Sequence, residues 1–147
     1  MMEALKEAKK AYEKLEVPVG AVIVKEGKII AKAYNQKENK KDTTKHAEIL
    51  AIQKASKRLN SWRLTDCDMY VTLEPCPMCA GAIIQSRIKK VYIGTLDEKT
   101  GAVGSVLNLF KDYKFNHKVD FENGILSEKC KLILQNFFSD LREIKRK

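Results

Sequence analysis

The sequence has no long apolar segment, since no run of apolar residues reaches the ~18 that are needed to cross a bilayer. Its first part, Met1 to Lys14, is charged and amphipathic and lacks the apolar stretch of a secretory signal peptide. It also has no internal repeat, linker or low-complexity segment. We therefore expect one soluble, cytoplasmic domain over residues 1–147, with no membrane contact.

Cysteine is scarce, and its four residues are too few for a disulfide scaffold in a chain of 147 residues. Acidic residues are fewer than basic ones, 19 against 28, which gives a formal charge of +9. This charge favours polyanionic partners such as nucleic acid, although it is spread over many segments and solubility would also account for it. With 44% apolar residues, the composition is that of a globular protein with one packed core.

The spacing of apolar residues predicts alternating helices and strands. The first half comprises a helix with Leu5, Ala8, Tyr12 and Leu15 on its apolar face, ended by Pro18, strands at 19–24 and 29–34 that form a hairpin, a polar loop at 35–44, and a second helix at 45–59. The second half comprises a strand at 69–73, a third helix at 77–85, strands at 91–95 and around 119–121, and a long final helix through Leu134, Phe137, Phe138, Leu141 and Ile144. The two passages between strands and helices indicate a partly parallel sheet and an α/β fold.

Four residues with metal-binding or proton-transfer side chains lie at the starts of the second and third predicted helices. His46 and Glu48 belong to the second helix, and Cys76 and Cys79 belong to the third. An imidazole and two thiolates are suitable zinc ligands, and three protein ligands with an open fourth position are typical of catalytic zinc. The partial positive charge of a helix start favours thiolates. Because Glu48 lies two residues from His46, it suits a proton shuttle beside the metal better than a ligand.

Two other interpretations of these residues remain open. A structural zinc site would need a fourth protein ligand, for which Cys67, Cys130 and His117 are the candidates. A redox pair would use the Cys76-Pro77-Met78-Cys79 spacing but would leave His46 and Glu48 without a role.

Several segments of the chain match those of a known family. They are EVPVGA at 16–21, Asn35, HAE at 46–48, VTLEPCPMCAGAI at 71–83, DEKTGAVGS at 97–105 and the Phe137-Phe138 pair. The H-x-E and P-C-x-x-C pair is the signature of zinc nucleobase deaminases. With these segments the sequence resembles the cytidine deaminase superfamily and, within it, the bacterial tRNA-specific adenosine deaminases, over nearly its whole length.

The resemblance implies a three-layer α/β/α fold, with a mixed five-stranded sheet between helices, and a homodimer that converts adenosine to inosine at the wobble position of a tRNA anticodon. It also implies roles for individual residues. His46, Cys76 and Cys79 would hold zinc, Glu48 would transfer protons, and Asn35 would hydrogen-bond the base. The positions that match anticodon-loop contacts of the family are Asp97, Lys99, Asn116, Phe137, Phe138 and Arg142.

Two alternative functions share some of these features. A deaminase of free guanine, of cytosine or of a nucleotide would have the same metal residues, but it would not need the charge of +9 or the 97–105 segment. An RNA-binding module without enzymatic activity would hold its zinc with four protein ligands.

Overall fold

The computed structural model describes residues 1–147, which form a five-stranded sheet with helices on both faces. The elements, in chain order, are α1 (Met2–Glu13), β1 (Gly20–Lys25), β2 (Lys28–Tyr34), α2 (Lys37–Lys40), α3 (Ala47–Leu59), β3 (Cys67–Leu73), α4 (Pro77–Gln85), β4 (Lys90–Thr95), β5 (Asp120–Glu122) and α5 (Ser127–Arg146). The predicted three-layer α/β/α class is confirmed. No helix is both long enough and apolar enough to cross a membrane.

The sheet is mixed, with the strand order β2-β1-β3-β4-β5. The pairs β1–β2 and β1–β3 are antiparallel, whereas β3–β4 and β4–β5 are parallel. The predicted hairpin and the predicted parallel part of the sheet are therefore both confirmed. Because β3 and β4 are parallel, the segments that follow Leu73 and Thr95 leave the sheet at the same edge, where α/β proteins usually bind their ligands.

The two faces of the sheet are covered by different helices. Helices α1 and α5 lie on one face, and α3 and α4 pack on the other. Helix α3 presents Ala47, Ala51 and Ala55 to the sheet, and all three are completely buried. On the opposite face α1 approaches β1 so closely that a Cβ atom at Gly20 would collide with the backbone of the helix. Small residues thus bring the helices close to the strands and fix the positions of their ends.

The end of α1 differs from the prediction. The apolar spacing continues to Leu15, but α1 ends at Glu13, and Leu15 has a φ of 59° and is 56% exposed. The chain reverses here because the next residue, Glu16, turns into the interior and is completely buried. Leu15 is therefore a surface residue of the turn rather than a core residue of the helix.

The predicted loop at 35–44 contains the short helix α2. Glu16 accepts hydrogen bonds from the backbone N–H groups of Glu38 (2.9 Å) and Asn39 (2.7 Å) and from the Asn39 side-chain amide (2.8 Å). The first N–H groups of a helix have no partner within the helix, so this carboxylate stabilises the single turn by accepting from them. The prediction was wrong because the stabilising residue lies more than 20 positions earlier in the chain.

Candidate metal and catalytic site

The starts of α3 and α4 meet at the edge of the sheet where β3 and β4 end. His46 immediately precedes α3, and its extended backbone (φ −74°, ψ 153°) gives it the N-cap position of that helix. Cys76 has the same position in α4, whose first residue is Pro77, a residue that the first turn of a helix tolerates well. Cys79 follows in the first turn of α4. The predicted arrangement of two helix starts around one point is thus present.

The three candidate ligands are close enough to hold one metal ion. The His46 Nδ1 atom lies 3.6 Å from the Cys76 Sγ atom and 3.4 Å from the Cys79 Sγ atom, and all three ligand atoms lie within 4.8 Å of one another. Tetrahedral bonds of zinc to nitrogen and sulfur place these two atoms about 3.6 Å apart. Both the chemistry of the donors and their spacing therefore fit zinc.

Hydrogen bonding changes the acidity of these ligands. The hydrogen bond from Cys79 lowers the pKa of the Cys76 thiol to about 4, and the contact with His46 acts in the same direction. The same contact with Cys76 raises the pKa of His46. The proton that Cys79 shares with Cys76, together with burial, raises the pKa of the Cys79 thiol. Cys76 is therefore the ligand that most readily becomes a thiolate, and a metal that binds all three would displace the proton of Cys79.

Glu48 lies in the first turn of α3 and is almost completely buried, with 4% of its surface exposed. Burial penalises the ionised carboxylate, so the pKa of Glu48 is raised to about 7. A carboxyl group with this pKa exists in both protonation states near neutral pH and can accept and return a proton. Its position beside the ligands agrees with the predicted role of a proton shuttle.

A pocket of about 170 Å³ opens above these residues. It is lined by residues just before β1, by the 35–37 and 46–48 segments, by residues at and after the end of β3, and by the segment after β4. These residues are Val17, Val19, Asn35, Lys37, His46, Ala47, Glu48, Leu73, Glu74, Cys76, Asp97 and Thr100. A concave pocket in which polar side chains converge between apolar residues is typical of a site that binds a small ligand or a single base.

Asn35 occupies one wall of this pocket and is held in a fixed orientation. Its Nδ2 group donates to the Val17 carbonyl oxygen (3.2 Å), and its Oδ1 atom accepts from the Lys37 backbone N–H (3.1 Å). An amide side chain has two N–H donors and two acceptor lone pairs, so one donor and one lone pair remain for a ligand. This fits the prediction that Asn35 hydrogen-bonds a base.

The pocket joins a larger groove of about 880 Å³, and the two share Val17, Leu73, Asp97 and Thr100. The groove passes between the 97–100 segment and α5. Of the predicted anticodon contacts, Asp97, Lys99 and Phe138 line it. Arg142 is exposed on α5 four residues after Phe138, and therefore lies on the same side of that helix.

Two predicted contacts lie away from the groove. Phe137 is 2% exposed and packs edge-on against Tyr12, so its position favours a packing role. Asn116 precedes β5, whose first residue pairs with the first residue of β4, so it lies at the sheet edge opposite the pocket. The roles of both residues in binding remain predictions.

The three candidates for a fourth protein ligand are also elsewhere. The His117 Nε2 atom lies 2.7 Å from the carbonyl oxygen of Ile88, which precedes β4, so His117 is at the edge of the sheet opposite the pocket. Cys67 is buried at the start of β3, and Cys130 is buried in α5 against Gly94. The metal-binding group therefore consists of three protein ligands, as the prediction of a catalytic site requires.

Sequence analysis assigned no role to Glu74, which the structure places in the lining of the pocket. Its carboxylate is 2% exposed and accepts hydrogen bonds only from residues 97–105. An acidic residue between an apolar strand and Pro75 was a signal in the sequence, but its partners lie 23 to 31 positions away. The local pattern could not identify them.

The chain is similar to known deaminases over nearly its full length. The MafB19-like deaminase family model matches residues 1–142. The tRNA-specific adenosine deaminase of Bacillus subtilis is 50% identical over 146 residues, which are 99% of this chain and 91% of the relative. The tRNA-specific adenosine deaminase of Aquifex aeolicus is 54% identical over 139 residues, which are 95% of this chain and 91% of the relative.

A solved structure from a study of A-to-I editing by tRNA:A34 deaminases at the wobble position of transfer RNA has the same fold. It superimposes with a TM-score of 0.88 at 43% identity and covers 91% of this chain and 97% of its own. The family match, the relatives and the fold agree with one another. The chain belongs to the MafB19-like deaminase family, among the tRNA-specific adenosine deaminases.

Proposed function

We propose that this protein deaminates adenosine to inosine at the wobble position of a tRNA anticodon and that it uses zinc. The observation that carries the proposal is the cluster of His46, Cys76 and Cys79 beside the buried Glu48, in a pocket that opens into a groove. The similarity to tRNA-specific adenosine deaminases supports the choice of substrate. Residues 1–147 act as one catalytic domain, in the cytoplasm and as a homodimer.

His46, Cys76 and Cys79 would hold the zinc ion in this proposal. Zinc bound by three protein ligands supplies a water molecule that is activated for attack at neutral pH. The N-termini of α3 and α4 contribute positive potential at the thiolates, which stabilises the deprotonated form that the metal needs.

Glu48 moves the protons of the reaction. It accepts a proton from the attacking water and delivers it to the purine ring, so that C6 of the base gains oxygen and releases its amino group as ammonia. The overall exchange consumes one water for each ammonia, and Glu48 returns to its starting state. The raised pKa of Glu48, about 7, suits a group that first accepts and then donates a proton.

Asn35 and the apolar residues of the pocket hold the base. The free donor and the free lone pair of Asn35 can read the polar edge of a purine, and Val17 and Val19 contact its flat faces. A base must leave its stack to enter a pocket of this size, and it does so at lower cost from an unpaired loop than from a stem. An anticodon loop therefore suits the pocket better than duplex RNA.

The groove receives the nucleotides on either side of the target adenosine. Lys99 and Arg142 offer positive charge for phosphates, and the 42% exposed ring of Phe138 offers a surface for base stacking. The Asp97 Oδ2 atom, which accepts from the Thr100 hydroxyl (2.7 Å), has one lone pair left to accept a hydrogen bond from the edge of a neighbouring base. Asn116, at the opposite edge of the sheet, and Phe137, beside Phe138, would be further contacts to the tRNA.

The decisive experiment compares substrates. Purified protein with known zinc content is incubated with an anticodon stem-loop that has adenosine at the wobble position, with the same stem-loop carrying guanosine there, and with free guanine, cytosine and adenosine. We expect ammonia and inosine from the first substrate alone. Turnover of a free base at a comparable rate would instead assign the protein to small-molecule deamination, and four protein ligands in the X-ray absorption spectrum would contradict a catalytic zinc.

A further inference from the structure

One buried carboxylate connects β3 to the opposite wall of the pocket. Glu74 follows β3 directly, and its Oε1 atom accepts from the backbone N–H of Asp97 (3.0 Å) and from the Ser105 hydroxyl. Its Oε2 atom accepts from the backbone N–H groups of Val103 (2.9 Å) and Ser105 (3.1 Å). All four hydrogen bonds thus go to one segment, 97–105, and none to the rest of the protein.

That segment divides the reaction pocket from the groove. Asp97 and Thr100 line both spaces, and Lys99 lines the groove. The side chain of Asp97 stabilises the start of the segment, since its Oδ1 atom accepts from the N–H groups of Lys99 (3.1 Å) and Thr100 (3.2 Å). Residues 97–105 therefore form a wall whose position decides how the two spaces connect, and we call it the dividing wall.

Gly101 provides a second, independent observation at the same place. A Cβ atom at position 101 would collide with the carboxyl group of Glu74. The wall therefore packs directly on the carboxylate, and only a residue without a side chain allows this close approach. Two residues therefore make this contact possible: the buried acceptor Glu74, directly after β3, and the glycine in the wall.

We propose that Glu74 is a positioning residue that fixes the dividing wall and thereby sets the affinity for nucleotides next to the target base. The inference rests on the proposed function, because it concerns the substrate of that site. Glu74 itself has no free acceptor for substrate, since both oxygens are occupied by the wall. It acts through Asp97 and Lys99, which the wall presents to the groove.

The Glu74→Gln variant tests this role at one hydrogen bond. The new side-chain amide can take two orientations. With its NH2 group in place of Oε2, two donors, the backbone N–H groups of Val103 and Ser105, would both face a donor and lose their acceptor. If the NH2 group replaces Oε1, the Ser105 hydroxyl can reverse and accept, and only the N–H of Asp97 loses its partner. The second orientation is the less costly one, so the variant releases the end of the wall that lines the pocket.

The measurement is steady-state deamination of the anticodon stem-loop, with zinc content and melting temperature recorded for each variant. We expect Glu74→Gln to raise KM by about tenfold or more, because the wall positions the substrate. The value of kcat should stay within about threefold, because the metal ligands are held by the starts of α3 and α4 and not by the wall. Glu7→Gln is the matched control, since it replaces another buried glutamate in α1, away from the pocket. It should leave KM unchanged.

Gly101→Ala disturbs the same contact from the side of the wall, because its Cβ atom would collide with the Glu74 carboxyl group. It provides a second test if Glu74→Gln does not fold. We expect it to raise KM as well, and the double variant to show less than the product of the two single effects, because both act through one contact. Three results would overturn the inference: KM changes that multiply in the double variant, an unchanged KM in folded Glu74→Gln, or a rise in KM in Glu7→Gln equal to that in Glu74→Gln. Wild-type protein that does not deaminate the stem-loop would instead overturn the proposed function.

Discussion

Phe137 and Phe138 are neighbours in the chain but lie in different environments. Phe137 is 2% exposed, with its ring 5.4 Å from that of Tyr12, so it joins α5 to α1. Phe138 is 42% exposed and lines the groove beside the reaction pocket. Adjacent residues of a helix lie about 100° apart, so one ring faces the interior and the other faces the groove.

The two phenylalanines should therefore respond differently to truncation. Phe137→Ala removes a buried ring and should lower the free energy of unfolding by about 3–5 kcal/mol. Phe138→Ala should leave stability nearly unchanged and weaken binding of the anticodon stem-loop, because a stacking surface is lost. Chemical denaturation and equilibrium binding measure the two effects. Equal effects of both variants on RNA binding at unchanged stability would contradict this division.

Glu48→Gln tests the proton shuttle. The amide has nearly the same shape as the carboxylic acid but cannot accept and return a proton, so deamination should fall by at least ~100-fold. Zinc content and melting temperature should change little, because Glu48 is not among the three ligands. Activity near that of the wild type, with about one zinc per chain, would remove Glu48 from the mechanism.

Cys79→Ser tests the metal site. A neutral hydroxyl replaces a buried thiolate ligand, so zinc content and melting temperature should fall together. Cys130→Ser is the matched control, because Cys130 is also completely buried but lies in α5, away from His46. Full zinc content in Cys79→Ser would identify another residue as the ligand.

The sequence predicted the elements that depend on local spacing. The apolar pattern predicted four of the five helices and all five strands. The H-x-E and C-x-x-C spacings predicted a metal-binding group of His46, Cys76 and Cys79, whose ligand atoms the structure brings together, while the role of Glu48 in proton transfer stays a prediction. Helix starts orient these side chains locally. Because β2 and β3 are both antiparallel to β1, they end at the same edge of the sheet, and the starts of α3 and α4 that follow them meet there.

The features that the sequence did not predict depend on contacts between distant residues. Helix α2 exists because Glu16 accepts hydrogen bonds from Glu38 and Asn39, and the dividing wall is fixed by Glu74. Both carboxylates lie outside the periodic segments and are almost completely buried. A buried acid signals a specific partner, but its position in the chain does not say which residue donates.

Arg142 tests whether the positive charge of the chain serves RNA binding. Arg142 is exposed on the side of α5 that continues the groove beyond Phe138, and the chain has a formal charge of +9. Binding of the stem-loop should weaken steeply as salt rises, with a slope in a log–log plot of about −0.7 for each single-strand phosphate contacted. Arg142→Ala should lower affinity and reduce that slope by up to about one, without change in zinc content.

Lys147→Ala is the control for this measurement, because it removes an equal charge from the end of the chain, beyond the last residue of α5. A general effect of net charge would lower affinity equally in both variants, whereas a phosphate contact made by Arg142 lowers it in one. Free adenosine has no phosphate, so any binding of it to the protein should not depend on salt in this way. A stem-loop affinity that does not vary with salt, or equal changes in both variants, would make Arg142 an ordinary exposed residue of α5 and would leave the groove without an electrostatic role.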